Sequence, residues 1–252
     1  MSPGNRLDAY HFYEDDWDSY DQLSETFEWE VPDQFNMATY VCDRWATDRR
    51  RVALFGEHES RAESPAPTDA TGVPAGDRET YTFWQFQAIA NRLANYLREQ
   101  GVERGDRVGV NAPQRAETVF AHVAAWKLGA VSVPLSTLFG PDAVEYRLDD
   151  CDAVAAVVDA SNLDSVREAR ESLPELETVV TVGDADPRDE EVTFRDAVAD
   201  QSRQFETVAT DAEDDAIIIY TSGTTGDPKG VRHAHRMLLG HLPLFVTTML
   251  NA

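Results

Sequence analysis

Apolar and polar positions along this chain follow two periods, and the chain switches between them every ten to twenty residues or so. Phe86, Ile89, Ala90, Leu93 and Leu97 recur at the i, i+3, i+4, i+7 spacing of a helix with one buried face. Thr82 followed by Gln85 three positions on makes a capping box for its start, and Gly101 stops it. Similar signals predict helices over Ala116–Leu128, ended by Gly129, over Pro141–Asp150, opened by a proline in its first turn, over 162–172, and over Phe194–Ala199. Between these lie runs of strand length at 107–110, Val131–Pro134, 154–158 and Thr178–Val182. Residues 154–158 are apolar throughout, as in a strand buried on both faces of a parallel sheet. Residues 52–55 and 79–82 predict the two strands of a hairpin. The stretch between them, 56–78, is rich in Pro, Gly, Ala, Ser and charge, and reads as a long loop leaning to disorder.

Strands alternating with helices argue for an α/β fold with mostly parallel sheets flanked by helices, and no internal repeat interrupts it. An acidic linker, 211–215, leads into one more apolar run, Ala216-Ile217-Ile218-Ile219. Directly behind it stands Tyr220-Thr221-Ser222-Gly223-Thr224-Thr225-Gly226-Asp227-Pro228-Lys229-Gly230. Glycine permits φ > 0 and a close approach of the backbone to a ligand. Successive backbone N–H groups in such a turn form an anion-binding concavity. The hydroxyls of Ser222, Thr224 and Thr225 add donors, and Lys229 adds a mobile point charge suited to phosphate. This is a phosphate loop by its chemistry, but neither of the two commonest ones by its spacing. Lys229 follows Pro228 and precedes Gly230, which breaks the Walker pattern, and Gly223, Gly226 and Gly230 do not fit G-x-G-x-x-G.

The string closely resembles the signature loop of the adenylate-forming superfamily: acyl-CoA synthetases, peptide-synthetase adenylation domains and luciferases. The likeness extends from about Phe35 to the last residue. Phe35-Asn36-Met37-Ala38, Asp43-Arg44-Trp45-Ala46, Thr80-Tyr81-Thr82-Phe83, Gly105-Asp106-Arg107-Val108, Trp126-Lys127-Leu128-Gly129-Ala130 and Val133-Pro134-Leu135 stand in the order expected of acetyl- and medium-chain acyl-CoA synthetases. The acidic, aromatic segment 10–29 resembles the N-terminal extension of that branch; a solvated tail with its aromatics on the surface is the equal alternative. The resemblance implies an extension over 1–34 and a partial AMP-binding domain over 35–252.

It also implies a reaction: carboxylate plus ATP gives acyl-adenylate and pyrophosphate, then CoA displaces AMP. Thr221, Ser222, Gly223, Thr224, Thr225, Gly226, Asp227, Pro228 and Lys229 would bind the nucleotide's phosphates, with Lys229 in the catalytic role of stabilising charge on the departing pyrophosphate. ATP, Mg²⁺ and CoA are the implied cofactors and co-substrates, and a small carboxylic acid is the partner. Members of this superfamily are much longer. The glutamate that helps bind Mg²⁺, the ribose-binding aspartate and the C-terminal lysine match no position here. The expectation is therefore an N-terminal portion of an acyl-CoA ligase, inactive alone; the alternative is a truncated nucleotide-binding fragment, or one half of a split ligase whose other half is encoded separately. Without cover, the closing apolar face of Leu238, Leu239, Leu242, Val246 and Met249 predicts a product prone to aggregate at low salt.

Composition adds environment rather than chemistry. There are 22 basic against 46 acidic residues, a net charge of −24, which excludes nucleic acid and anionic membranes as natural partners. Lysine occurs only at Lys127 and Lys229. So acidic and lysine-poor a surface points to a salt-loaded cytoplasm, where a Debye length of ~3 Å at molar salt mutes self-repulsion. The N-terminus lacks the basic start and apolar core of a signal peptide, and no run reaches the ~18 apolar residues of a membrane span, so a cytoplasmic location is expected. Cys42 and Cys151 are isolated and read as small buried residues. Lys127, near a helix end, reads as a cation complementing the helix dipole. His233 and His235 would share one side of a strand returning from the loop; with no third ligand at metal spacing they read as lining that strand.

Overall fold

The computed structural model describes residues 7, 10, 16–57, 73–75, 78–221 and 226–242. In chain order the elements are α1 (Tyr20–Thr26), α2 (Met37–Val41), β1 (Val52–Glu57), β2 (Val73–Ala75), β3 (Arg78–Thr82), α3 (Phe83–Glu99), β4 (Arg107–Asn111), α4 (Ala116–Leu128) and β5 (Val131–Pro134). They continue with α5 (Pro141–Asp150), β6 (Ala153–Asp159), α6 (Leu163–Arg170), β7 (Thr178–Val182), β8 (Glu191–Thr193), α7 (Phe194–Ala199), β9 (Asp215–Thr221) and β10 (Lys229–Ala234). Residues 237–242 are helical again.

The main sheet has seven strands in the order β10-β9-β5-β4-β6-β7-β8. All its pairings are parallel except β9 with β10. A small antiparallel sheet, β1-β3-β2, stands beside α3. The helices divide between the faces of the large sheet. Phe86 and Leu93 of α3, Phe120 of α4 and Phe194 of α7 form one core with Val108 and Val157, and the Phe120 ring lies 5.2 Å from those of Tyr81 and Phe86. Val144 and Leu148 of α5 and Val166 of α6 form the other with Val133 and Ala156. The central strands β4, β6 and β7 are thus covered on both sides, which is why 154–158 carries no polar alternation.

Local signals explain the helix ends. The Thr82 hydroxyl accepts from the Gln85 N–H at 3.3 Å and the Gln85 side chain accepts from the Thr82 N–H at 2.8 Å, the reciprocal pairing of a capping box. Gly129 adopts φ +70° behind α4, and a Cβ there would lie 3.1 Å from Arg104 Cγ.

The structure departs from the sequence reading at several points of the scaffold. Residues 73–75, inside the segment read as a loop, form β2 against β3, because backbone pairing to an adjacent strand needs no strong side-chain signal. Glu191–Thr193 forms an edge strand too short to show a period. Asp215 belongs to β9 rather than to a linker, and its carboxylate accepts from Arg232 Nε of β10 at 2.7 Å. Lys127 does more than complement a dipole. It is fully buried, paired with the Asp43 carboxylate, and 3.2 Å from the Thr207 hydroxyl. Asp43 also accepts from Gln87 and Thr207, so the pair is held by further hydrogen bonds.

The N-terminal segment joins the molecule through a third cluster of Leu7, Tyr10, Phe35, Met37, Tyr40, Ala212, Ala216 and Leu239. Tyr10 is buried rather than a surface ornament, and its hydroxyl donates to the Glu30 carbonyl at 2.9 Å, whereas Trp29 is exposed. Leu239 is covered by this cluster; Val246 and Met249 lie outside the described residues.

Candidate functional site

Parallel strands all present their carboxyl ends to one edge of the sheet, and ligands bind there in open α/β folds. The loop predicted to bind phosphate leaves the sheet at that edge. β9 runs parallel to β5, ends at Thr221, and the chain returns antiparallel as β10, with Lys229 paired to Thr221 and Gly230 to Tyr220. The loop is therefore the tip of a hairpin. Ser222, Gly223, Thr224 and Thr225 lie outside the described residues.

Of the remaining predicted residues, Thr221, Gly226, Asp227 and Lys229 are exposed and Pro228 is half-buried. Gly226 has φ +96°, the left-handed region that favours glycine, and a Cβ built on it would meet nothing within 4 Å. Backbone and lysine are thus open to an approaching ligand. Gly230 serves the opposite purpose: a Cβ there would lie 3.0 Å from Ile218 Cγ2 and 3.1 Å from Tyr220 Cζ, so its absence lets the Tyr220 ring lie across the return strand.

Both limbs of the hairpin are gripped from α5. The Tyr220 hydroxyl donates to Asp150 Oδ2 at 2.6 Å, and the Tyr146 hydroxyl donates to the Pro228 carbonyl at 2.9 Å. The two tyrosine rings meet edge to face at 6.4 Å. The Arg147 guanidinium lies 4.0 Å from the Phe139 ring centre and 5.8 Å from that of Tyr220. Burial, then the hydrogen bond to the Asp150 carboxylate, pushes the Tyr220 phenol far up, so it stays a donor. The sequence carried no sign of this grip, since Tyr146 and Asp150 meet residues 82 and 70 positions away.

Beyond β10 the histidine pair separates. A register shift separates His233 from Ala234, the last paired residue of β10, and His235 lies past the strand, fully buried. Its Nδ1 accepts from the Met37 N–H at 3.1 Å, tying the start of α2 to the return limb. Its Nε2 meets no partner among the described residues. Burial lowers its pKa to about 4.

Elsewhere along the same edge, β4 leads to α4 on one face while β6 leads to α6 on the other, so the strand order reverses between them. Arg115 spans the gap, 2.9 Å from Asp159 Oδ2 and forked onto Glu117 at 2.8 and 2.9 Å. Burial opposes its charge, but hydrogen bonds and charge from Glu117, then Asp159, outweigh that and raise its pKa. Asn162, three residues past Asp159, donates to Asn111 Oδ1 at 3.0 Å. Sequence reasoning did not single out this network. Cys42 and Cys151 are buried, with burial pushing their thiols up to about 12 and about 11, as inert packing residues require.

An open α/β sheet with a glycine-rich hairpin at its carboxyl edge places that hairpin where α/β proteins bind their ligands. The chain belongs to the AMP-binding enzyme family, whose model matches residues 57–249. It is 32% identical over 223 residues to an acetyl-coenzyme A synthetase of Methanothrix thermoacetophila, which covers 82% of this chain and 32% of that protein. It is 37% identical over 167 residues to a 3-oxocholest-4-en-26-oate–CoA ligase of Rhodococcus rhodochrous, covering 64% and 30%. Among solved structures, the anthranilate CoA ligase AuaEII in complex with anthranoyl-AMP superposes with a TM-score of 0.71 at 31% identity, over 86% of this chain and 37% of that one. The chain spans about a third of the length of these relatives. Among the described residues no helix is long and apolar enough to cross a membrane.

Proposed function

We propose that this chain supplies the polyphosphate grip of an ATP-dependent acyl-CoA ligase. The observation that carries the reading is the hairpin at the carboxyl edge of the sheet, with exposed Lys229 paired to Thr221 and open space at Gly226, in a chain of the AMP-binding family. ATP is the substrate held there. In the overall reaction a carboxylate oxygen attacks the α-phosphorus, the bond to the β-phosphate oxygen breaks, and pyrophosphate leaves. The thiol of CoA then takes the acyl group and AMP departs. Mg²⁺, when bound with the nucleotide, would supply charge neutralisation on the phosphates.

Within that reaction the roles assigned to this chain are positional and electrostatic. The backbone from Thr221 to Gly226 and the hydroxyls of Ser222, Thr224 and Thr225 hold the β- and γ-phosphates. Asp227 and Pro228 shape the turn. Lys229 neutralises charge as pyrophosphate separates, the kind of interaction that strengthens along the reaction coordinate. Residues 35–252 form a partial adenylate-forming domain and residues 1–34 an N-terminal extension. The substrate is a small carboxylic acid, and the acidic surface suits a salt-loaded cytoplasm.

Carboxylate-dependent exchange between labelled pyrophosphate and ATP tests the reaction. The chain is assayed in molar KCl across short- and medium-chain acids, with CoA omitted. Exchange that needs an acid and disappears in Lys229→Ala supports the ligase reading. Exchange that continues in Lys229→Ala contradicts the role of that lysine. Absence of exchange in a chain that binds ATP limits the role to binding.

A further inference from the structure

We infer that α5 is the brace that orients the phosphate hairpin, with Tyr146 as its positioning residue. The inference rests on the proposed role of the hairpin and extends it to a helix on one face of the sheet.

Tyr146 and Asp150 are four residues apart on α5, so they share one face. That face meets both limbs of the hairpin: Asp150 accepts from Tyr220 on the outgoing strand, and Tyr146 donates to the Pro228 carbonyl on the return. The second bond is the sensitive one. Pro228 lies just before the β10 ladder begins at Lys229. The Pro228 carbonyl and the Lys229 N–H belong to one rigid peptide plane. A hydrogen bond to that oxygen therefore sets the orientation from which the Lys229 side chain departs. The brace has a firm footing, because Val144 and Leu148 on the helix are fully buried in the core beneath the sheet. Arg147 and the edge-to-face tyrosine pair close the remaining space. Neither tyrosine is needed to touch substrate; each acts through the hairpin.

Tyr146→Phe removes one oxygen atom and keeps the ring contact. Hydrogen–deuterium exchange is followed in molar KCl for wild type, Tyr146→Phe and Tyr220→Phe. Peptides carrying Asp227 to Gly230 are compared with peptides from α3 and α4. A lost neutral hydrogen bond corresponds to roughly a three- to tenfold change in local opening. The brace predicts faster exchange by that factor in the hairpin peptides of Tyr146→Phe, with α3 and α4 unchanged. Unchanged hairpin exchange, or an equal rise everywhere, overturns it.

Binding of inorganic tripolyphosphate is read on the same samples, because it depends on the grip alone and not on adenine or ribose contacts. The brace predicts several-fold weaker binding in Tyr146→Phe at an unchanged melting temperature. Wild type that binds tripolyphosphate no better than Lys229→Ala refutes the function proposed for the hairpin, while the exchange data still decide the brace. Wild type that binds, beside a Tyr146→Phe variant with wild-type affinity and exchange, refutes the brace alone.

Discussion

Protonating His235 will destabilise the fold, and the buried environment fixes both the sign and the size. The imidazole is fully buried and its Nδ1 already accepts the Met37 N–H. A second ring proton would turn that acceptor into a donor facing a donor, with Nε2 unpartnered among the described residues. The charges nearest it are Asp214, which favours the imidazolium, and Arg104, which opposes it; burial outweighs both and sets the pKa near 4 against an ordinary 6.5. The unfolded chain therefore binds a proton that the native state refuses. Stability from this group is full above the unfolded pKa and is lost as pH falls towards the native one. The loss comes to about 2 kcal/mol between about pH 7 and pH 5, and about 3 kcal/mol by about pH 4. Carboxylates and other histidines contribute their own slopes, so the comparison is with His235→Asn, whose Oδ1 can replace Nδ1 as acceptor without titrating. Urea unfolding of both proteins in molar KCl across this range gives the difference directly. Wild type should lose about 2 kcal/mol more than the variant by pH 5. Parallel profiles would refute the claim that His235 is held neutral by burial.

Two further substitutions test the scaffold, and both are read by denaturant unfolding. Lys127→Ala leaves the Asp43 carboxylate without its buried cation and should cost about 3–5 kcal/mol, whereas Lys127→Met with Asp43→Leu should recover much of that; a loss below 1 kcal/mol in the single variant would mean that the pair is solvated. Gly129→Ala places a side chain at φ +70° and 3.1 Å from Arg104 Cγ, for a cost of about 1–2 kcal/mol, and an unchanged midpoint would argue against the left-handed end of α4.

Helices α3, α4 and α5 were legible because each carries its own instructions, whereas the short α1 and α2 were not read from the sequence. Thr82 and Gln85, Gly129 and Pro141 mark boundaries by chemistry confined to a few residues, and the structure places α3, α4 and α5 where those marks stand. Residues 162–172 shortened to Leu163–Arg170 at their frayed ends. Long-range partners were not legible. Lys127 looked like an ordinary cation in a last turn because nothing near it in sequence announces Asp43, 84 positions away. Asp215 read as linker because its partner, Arg232, becomes adjacent only when β10 folds back. β8 is three residues on an edge, and β2 contains a proline; neither has room to show alternation. The phosphate loop was the reverse case. Its expected phosphate chemistry was read from local composition alone, and the fold adds only its place: the carboxyl edge of the sheet, between β9 and β10.

The measurement that bears most directly on the central claim is calorimetric titration of ATP into the folded chain in molar KCl, wild type beside Lys229→Ala. Lys229 is exposed, so the substitution leaves the core intact. A charge-assisted hydrogen bond to phosphate contributes about 1.5–3 kcal/mol, so saturable wild-type binding should weaken by roughly 10- to 100-fold in the variant. Equal affinity in the two proteins, or no binding to a wild type shown to be folded, would contradict a polyphosphate grip at this hairpin.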